Sequence, residues 1–190
     1  MKGLKFTGRF ALGAIATIVF FLGMEQHPSL SLISSAEATA NSAEVNIVGM
    51  AVDDFELLDH TGAAHRLYYD TNAPAIVLMT QGNGCPIVRN AMPALRKVRD
   101  SYVEKGIKFY LLNSNLQDNR TSIAAEVAEF GFDLPVLVDE NQLVGEALNV
   151  TRTHEVFVID PKSRKVVYHG PIDDRLTYEN QKVDVKNPYL

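Results

Sequence analysis

The feature that most constrains the fold is a continuous apolar run at residues 75–80, which leads through a short connector into a helical pattern. The run reads AIVLMT, a composition typical of a central strand that is buried on both faces. After the connector QGNG, apolar residues recur at helical spacing between residues 87 and 103. A strand followed directly by an amphipathic helix favours an α/β fold with a partly parallel sheet.

The rest of the chain continues this alternation. Gly106 and Gly131 each follow a predicted helix, as glycine often does. The patterns predict a hairpin at residues 53–69, strands at 107–112, 135–138, 156–159 and 166–169, and helices at 121–130 and 142–148. We therefore expect a mixed sheet flanked by helices, with an antiparallel edge and a loosely structured tail after Ile172.

The N-terminal 40 residues are typical of a targeting segment. Three cations, Lys2, Lys5 and Arg9, precede an apolar stretch at residues 10–24, and Ala38-Thr39-Ala40 forms a small-x-small cleavage pattern. The stretch is shorter than the roughly 20 apolar residues of a membrane span. Two interpretations stay open: a signal peptide cleaved after Ala40, or an uncleaved anchor that contacts the membrane through residues 10–24. Either predicts export, to the periplasm or another extracytoplasmic compartment, of a domain at residues 41–190.

The charge distribution argues against a nucleic-acid partner. The net charge is −5, and residues 41–190 contain no dense run of Lys or Arg. Binding of DNA or RNA would require such a cationic patch.

Cys85 is the one cysteine of the sequence, so no disulfide can form within the chain. It is a free thiol, an intermolecular partner, a metal ligand or an inert core residue. Pro86 is expected at the first position of the helix, which makes Cys85 the N-cap. Unpaired N–H groups and the helix dipole stabilise a thiolate there, and the thiolate is the nucleophilic form.

Pro93, eight residues after Cys85, lies within the predicted helix and completes a motif that is known from other proteins. Cys85-Pro86-Ile87-Val88 followed by Pro93 resembles the active-site helix of the thioredoxin superfamily. The stretches GIKFYLLNSN, FDLPVLVDENQLVGEALNV and THEVFVIDPKSRKVVYHGPID resemble peroxiredoxin-like proteins of the AhpC/TSA (redoxin) group. Over about residues 50–175, this resemblance implies a thioredoxin-like fold with the hairpin as an N-terminal extension.

Several positions depart from those families. Val88 stands where a thioredoxin has its second cysteine, so exchange within one molecule is excluded. Gly82 stands where a typical peroxiredoxin has a threonine, and Thr80 is nearby but displaced. His154 occupies the place at which many thioredoxin-like proteins have a cis-proline.

The resemblance also implies which side chains meet at the site. The loop that carries His154 normally packs against the active cysteine, and Arg152 lies in the stretch that contains the peroxiredoxin arginine. We therefore expect His154 and Arg152 near Cys85. In this hypothesis the Cys85 thiolate attacks a peroxide or a disulfide, Arg152 stabilises the charge and His154 transfers a proton. An external thiol, such as a thioredoxin-like protein, then reduces the cysteine.

Two alternatives remain from sequence alone. Cys85 and His154 could bind copper, although Arg89 occupies the place of the second thiolate in the exported copper chaperones that the pattern resembles. The domain could also be a non-catalytic binding module that kept the fold. No other cofactor is indicated.

The remaining charged and imidazole side chains are expected to be structural. His60, His65 and His169 are interpreted as surface or hydrogen-bonded residues, and Asp173-Asp174-Arg175 as a turn with a local ion pair. Arg89 lies one helical turn from the thiol and could help to hold an anion.

Overall fold

The structure is a computed structural model that describes residues 46–69, 72–174 and 189–190. The predicted export segment at residues 1–40 and the tail at residues 175–188 lie outside these ranges, so both stay predictions. Among the described residues, no helix combines the length and the apolar character that a membrane crossing needs.

The described chain alternates strands and helices in the predicted order. The elements are β1 (Glu56–Leu58), β2 (Ala64–Arg66), β3 (Ile76–Thr80), α1 (Pro86–Tyr102), β4 (Lys108–Asn113), α2 (Arg120–Phe130), β5 (Val136–Val138), α3 (Leu143–Ala147), β6 (Val156–Asp160) and β7 (Lys165–Gly170). Most boundaries fall within one or two residues of the prediction. The exception is β2, which ends at Arg66 rather than at Tyr69.

A five-stranded mixed sheet forms the centre of the domain, in the order β5-β4-β3-β6-β7. β3 pairs parallel with β4, and β4 pairs parallel with β5. On the other side, β3 pairs antiparallel with β6, and β6 with β7. The predicted partly parallel sheet with an antiparallel edge is confirmed. The residues that follow β3 and those that precede β6 consequently meet at one end of the sheet.

The sheet buries apolar side chains on both faces. On β3, Val77 and Met79 pack into the cluster formed with α1 and α2, whereas Ile76 and Leu78 pack into the opposite cluster with α3. This explains why the run at residues 75–80 is apolar throughout rather than alternating.

α1 packs on the sheet through the face that the periodicity predicts. Val88, Ala91, Met92 and Leu95 are buried, and Pro93 is exposed within the helix. The predicted face extends too far, since Tyr102 and Val103 are 38% and 49% exposed. At that point the chain enters a 3-10 turn, Val103–Lys105, which ends at Gly106 with a φ of 84°.

The predicted hairpin is confirmed as a separate two-stranded sheet formed by β1 and β2. It attaches to the end of β5, where the N–H of His60 donates to the carbonyl of Val136 at 2.9 Å. The Nδ1 of His60 accepts from the N–H of Val136 at 3.2 Å. His60 is therefore a structural residue in the described part of the chain.

Residues 47–52 form an edge contact that the sequence patterns did not predict. The N–H of Gly49 donates to the carbonyl of Val166, and the N–H of Val166 donates to the carbonyl of Met50. Ile47 and Val52 are buried in the cluster on the α3 face. Asp173 and Asp174, near the C-terminal end of the described residues, are buried. Arg175 lies outside the described residues, so the local ion pair stays a prediction.

Candidate functional site

Cys85 lies at the end of the sheet where the connector after β3 enters α1. It is half-buried, its backbone is extended (φ −76°, ψ 112°), and Pro86 begins the helix, which confirms Cys85 as the N-cap residue, although its side chain makes no capping hydrogen bond to the helix. The Sγ atom lies 3.1 Å from Oγ1 of Thr153, in the loop before β6. A partly exposed thiol is accessible to a reagent, whereas one fully enclosed by apolar side chains is not.

The loop that carries Thr153 is held against β3 by Thr80. The hydroxyl of Thr80 donates to the carbonyl of Arg152 at 2.9 Å and accepts from the N–H of Glu155 at 2.8 Å. The N–H of His154 donates to the carbonyl of Thr80 at 2.8 Å. Thr80 therefore positions the loop before β6. It lies two residues before the position at which a typical peroxiredoxin has its threonine, and its hydrogen bonds are to this loop.

Gly82 provides the space that Thr153 occupies. A Cβ at residue 82 would lie 3.0 Å from Cγ2 of Thr153, so a side chain there would push against the threonine. The position at which a typical peroxiredoxin has a threonine is thus empty, and Thr153 brings a hydroxyl to the sulfur from a different segment of the chain.

A polar network fixes the connector before Cys85. Oδ2 of Asp118 accepts from the N–H of Asn83 at 2.9 Å and from Nδ2 of Asn113 at 2.9 Å. The same Nδ2 of Asn113 donates to Gln81 at 2.7 Å, and Gln81 in turn donates to Asn83 at 3.1 Å. Because Gln81 and Asn113 are buried, these bonds satisfy groups that water does not reach.

An ion pair between the partly exposed Arg89 and the buried Glu126 joins α1 to α2 near the start of α1. Nε and Nη2 of Arg89 donate to Oε1 and Oε2 of Glu126 at 3.0 and 2.9 Å. Oε1 of Glu126 also accepts from the N–H of Gly84, the residue before Cys85, at 3.2 Å. The hydrogen bonds to Glu126 raise the pKa of the Arg89 guanidinium.

The other two side chains predicted for the site have the following contacts. Nε of Arg152 donates to Oγ1 of Thr151 at 3.2 Å and lies 3.7 Å from Oε1 of the buried Glu155. His154 is 2% exposed and has a positive φ of 71°. No peptide bond among the described residues is cis. The side chain of this loop that contacts the sulfur is Thr153, and the roles of Arg152 and His154 stay predictions.

Sequence reasoning missed both Thr153 and Glu126. Thr153 was detectable in principle, because it directly precedes the residue that occupies the cis-proline place. For Glu126 no local signal exists, since its partner Arg89 is 37 positions away in the sequence.

The remaining histidines of the domain have structural contacts. Nε2 of His65 bonds to Oδ2 of Asp59 at 2.8 Å in the hairpin. The ring of His169 stacks on Phe157 with the centroids 4.7 Å apart. Neither contact indicates a catalytic or ligand-binding role.

The copper alternative has two candidate protein ligands, Cys85 and His154. Within the part of the chain that the structure describes, no three His, Cys, Asp or Glu side chains form a group that could hold a metal ion. The contact of the Cys85 sulfur is a hydroxyl, whereas a soft metal such as Cu(I) favours sulfur ligands. The copper alternative would depend on Cys85 and His154 alone.

Comparison with known proteins identifies a family. The sequence profile of the AhpC/TSA family matches residues 48–169. A thiol-disulfide oxidoreductase ResA of Geobacillus kaustophilus (strain HTA426) is 28% identical over 113 residues, which cover 60% of this chain and 63% of that protein. The match thus spans slightly less than two thirds of this relative's length.

Solved structures have the same fold. The crystal structure of a hypothetical protein from Sinorhizobium meliloti 1021 aligns with a TM-score of 0.62 at 30% identity, over 72% of this chain and 77% of that one. The crystal structure of the peroxidoxin BcpB from Mycobacterium tuberculosis aligns with a TM-score of 0.53 at 26% identity, over 63% of this chain and 81% of that one. The predicted thioredoxin-like fold is confirmed.

Proposed function

The chain belongs to the AhpC/TSA family, and on that premise we propose that it is an exported one-cysteine thiol redox protein of peroxiredoxin-like type. The observation that supports this most directly is the half-buried Cys85 at the start of α1, with its sulfur 3.1 Å from the hydroxyl of Thr153. Its substrates are peroxides or disulfides, and its activity is antioxidant or thiol-exchanging.

With a peroxide, the first step forms a bond from sulfur to oxygen. The Cys85 thiolate attacks one oxygen of ROOH, the O–O bond breaks, and the cysteine becomes a sulfenic acid while RO⁻ takes up a proton and leaves as ROH. The sulfur is oxidised by two electrons, and the peroxide is reduced by two. The hydroxyl of Thr153 can donate to the thiolate before the attack.

The second half of the cycle needs thiols from outside the chain, because the sequence has no second cysteine to act as a resolving group. One external thiol attacks the sulfenic acid, which releases water and leaves a mixed disulfide on Cys85. A second thiol releases the Cys85 thiol and forms an external disulfide. With a disulfide substrate, the thiolate forms the mixed disulfide directly. A thioredoxin-like protein is a suitable reductant.

Arg152 and His154 are proposed auxiliary residues. The Arg152 side chain is 42% exposed, so it can turn toward an anionic leaving group near Thr153. Arg152→Gln should lower the peroxide reaction rate without abolishing it, and His154→Asn should change its pH dependence. Rates equal to those of the unaltered protein would remove either residue from the mechanism.

Export is proposed from residues 1–40. N-terminal sequencing of the protein recovered from the producing cells distinguishes cleavage after Ala40 from an intact anchor. Recovery of the protein in the cytoplasmic fraction alone would contradict export.

The decisive experiment measures peroxide consumption and disulfide reduction by the purified protein with dithiothreitol as the external thiol. Mass spectrometry after peroxide and dimedone should find the sulfenic acid adduct on Cys85. Cys85→Ser should abolish the adduct and lower turnover to the background rate of dithiothreitol alone, because the chain has no other cysteine. Turnover above that background in this variant would refute the mechanism. A protein that shows neither turnover nor adduct would instead be the non-catalytic binding module.

A further inference from the structure

Glu126 on α2 has a buried carboxylate that accepts hydrogen bonds from one residue before Cys85 and one residue after it in the sequence. Its side chain is 8% exposed. Oε1 accepts from the N–H of Gly84 immediately before Cys85, at 3.2 Å, and both oxygens accept from Arg89 four residues after it. No sequence motif accounts for this placement, and the redox steps above do not use it.

Arg89 is held in one orientation by α2. Its guanidinium makes a bidentate pair with Glu126, and its Cζ lies 3.4 Å from the centroid of the Phe130 ring. Arg89 and Cys85 lie one helical turn apart, a separation at which side chains at i and i+4 are neighbours. The cation is thus fixed near the sulfur while its charge is compensated by a carboxylate.

We infer that the Arg89–Glu126 pair is a positioning and charge-balancing device that keeps either charge alone from shifting how readily Cys85 ionises. Arg89 favours the thiolate, Glu126 opposes it, and together they fix the connector while contributing little net charge. The inference rests on the proposed function only in that an ionised Cys85 is the reacting species.

The sign of each effect follows from Coulomb's law. Removal of the Glu126 charge leaves an uncompensated cation beside the thiol, which stabilises the thiolate. Removal of the Arg89 charge leaves a carboxylate beside the thiol, which destabilises it. At about 6 Å and with screening as strong as that of bulk water, one unit charge changes a pKa by about half a unit, or about threefold in the thiolate fraction below that pKa. A purely structural role would move both variants in the same direction.

Other charged groups surround the connector and must stay constant in the comparison. They are Asp118, which bonds to Asn83 of the connector, Glu129 of α2, which neighbours Arg89, and Arg152 and His154 on either side of Thr153. Because all variants keep these groups, differences between variants report the pair alone.

The experiment measures the rate of Cys85 alkylation by iodoacetamide, a neutral reagent, across pH in the full chain. The variants are Glu126→Gln, Arg89→Gln and the double variant, whose two amides can still hydrogen-bond to each other. Arg96→Gln is the matched control. Arg96 lies on α1, like Arg89, and forms an ion pair with Asp133 at 2.9 Å, but it is seven residues farther along the helix from the thiol.

We expect the midpoint pH to fall by about half a unit in Glu126→Gln, to rise by about as much in Arg89→Gln, and to return near the original value in the double variant. The shifts should shrink in 1 M salt, and Arg96→Gln should leave the midpoint unchanged.

Shifts of the same sign in both single variants, or none, would overturn the inference. The proposed function fails separately: if wild-type Cys85 is alkylated with the expected shifts in the variants but turns over neither peroxide nor disulfide, the charge balance stands and the redox activity does not.

Discussion

At the scale of single residues, the proton between Thr153 and Cys85 can belong to either side chain. With a neutral thiol either atom donates across the 3.1 Å contact, but with a thiolate only the threonine hydroxyl can donate. Hydrogen bonds to charged groups contribute about 1.5–3 kcal/mol, and one pKa unit corresponds to about 1.4 kcal/mol. Thr153 should therefore stabilise the thiolate relative to the thiol.

The isosteric change Thr153→Val tests this contact. We expect the midpoint pH of Cys85 alkylation to rise by about one unit, with a loss of about tenfold in rate at a pH below the midpoint. Thr153→Ser, which keeps the hydroxyl, should retain most of the wild-type rate. If the valine and serine variants react alike, the hydroxyl has no role, and the valine result would report packing alone.

Residue identity at this site was only partly predictable from sequence. Cys85 and Pro86 were found because the constraint is local: proline suits the first position of a helix and the preceding residue becomes the N-cap. Which side chain of the loop faces the sulfur is not a local property. It depends on the backbone turn at His154, whose φ is 71°, and on the absence of a side chain at Gly82.

At the scale of elements, helix boundaries were predictable wherever a sequence signal marks them. Gly131 ends α2 with a φ of 62°, in the left-handed region that favours glycine, and Pro86 begins α1. The burial of Glu126 was not predictable, because helical periodicity assigns a glutamate to the solvent side. Its position reflects a partner on another helix, which is tertiary information.

The N-terminus of α2 carries a reciprocal cap. Oδ1 of Asn119 accepts from the N–H of Ser122 at 3.0 Å, and Oγ of Ser122 accepts from the N–H of Asn119 at 3.0 Å. The Nδ2 of Asn83, in the connector before the thiol, also donates to Oγ of Ser122 at 3.1 Å. The cap therefore links the stability of α2 to the geometry of the site.

Asn119→Ala should lower the free energy of unfolding by about 1 kcal/mol, because the N–H of Ser122 in the first turn loses its side-chain acceptor. Urea denaturation measures the change, and Thr121→Ala, an exposed substitution in the same turn, serves as the control. Equal stabilities for the two variants would show that the cap contributes nothing measurable.

At the scale of the whole molecule, the hairpin and the sheet are joined through Asp59. Its backbone bridges to Leu137 of β5, and the neighbouring His60 exchanges hydrogen bonds with Val136. The order of elements predicted a hairpin ahead of the sheet, but not its docking on β5, since no local pattern encodes which edge it meets. The same holds for residues 47–52, whose edge contact with β7 depends on the completed sheet.

The side chain of Asp59 makes the stability of the hairpin depend on pH. Burial on its own would raise the pKa of this carboxyl, but hydrogen bonds from the side chains of Thr61 and His65 and from the N–H groups of Thr61 and Ala63 outweigh it. They lower the pKa from 3.8 to about 2. Because the folded-state pKa is depressed, the stabilisation is complete above pH 3.8 and is lost as the pH falls toward 2.

Asp59→Asn should therefore cost about 1–2 kcal/mol of unfolding free energy at pH 7, since solvent near the hairpin screens part of the interaction. The difference between the two proteins should fall to roughly half by pH 3 and nearly vanish by pH 2. Urea denaturation of both proteins at each pH isolates this group, because every other carboxylate is common to the pair. A difference that stays constant between pH 7 and pH 3 would mean that the Asp59 charge does not stabilise the hairpin.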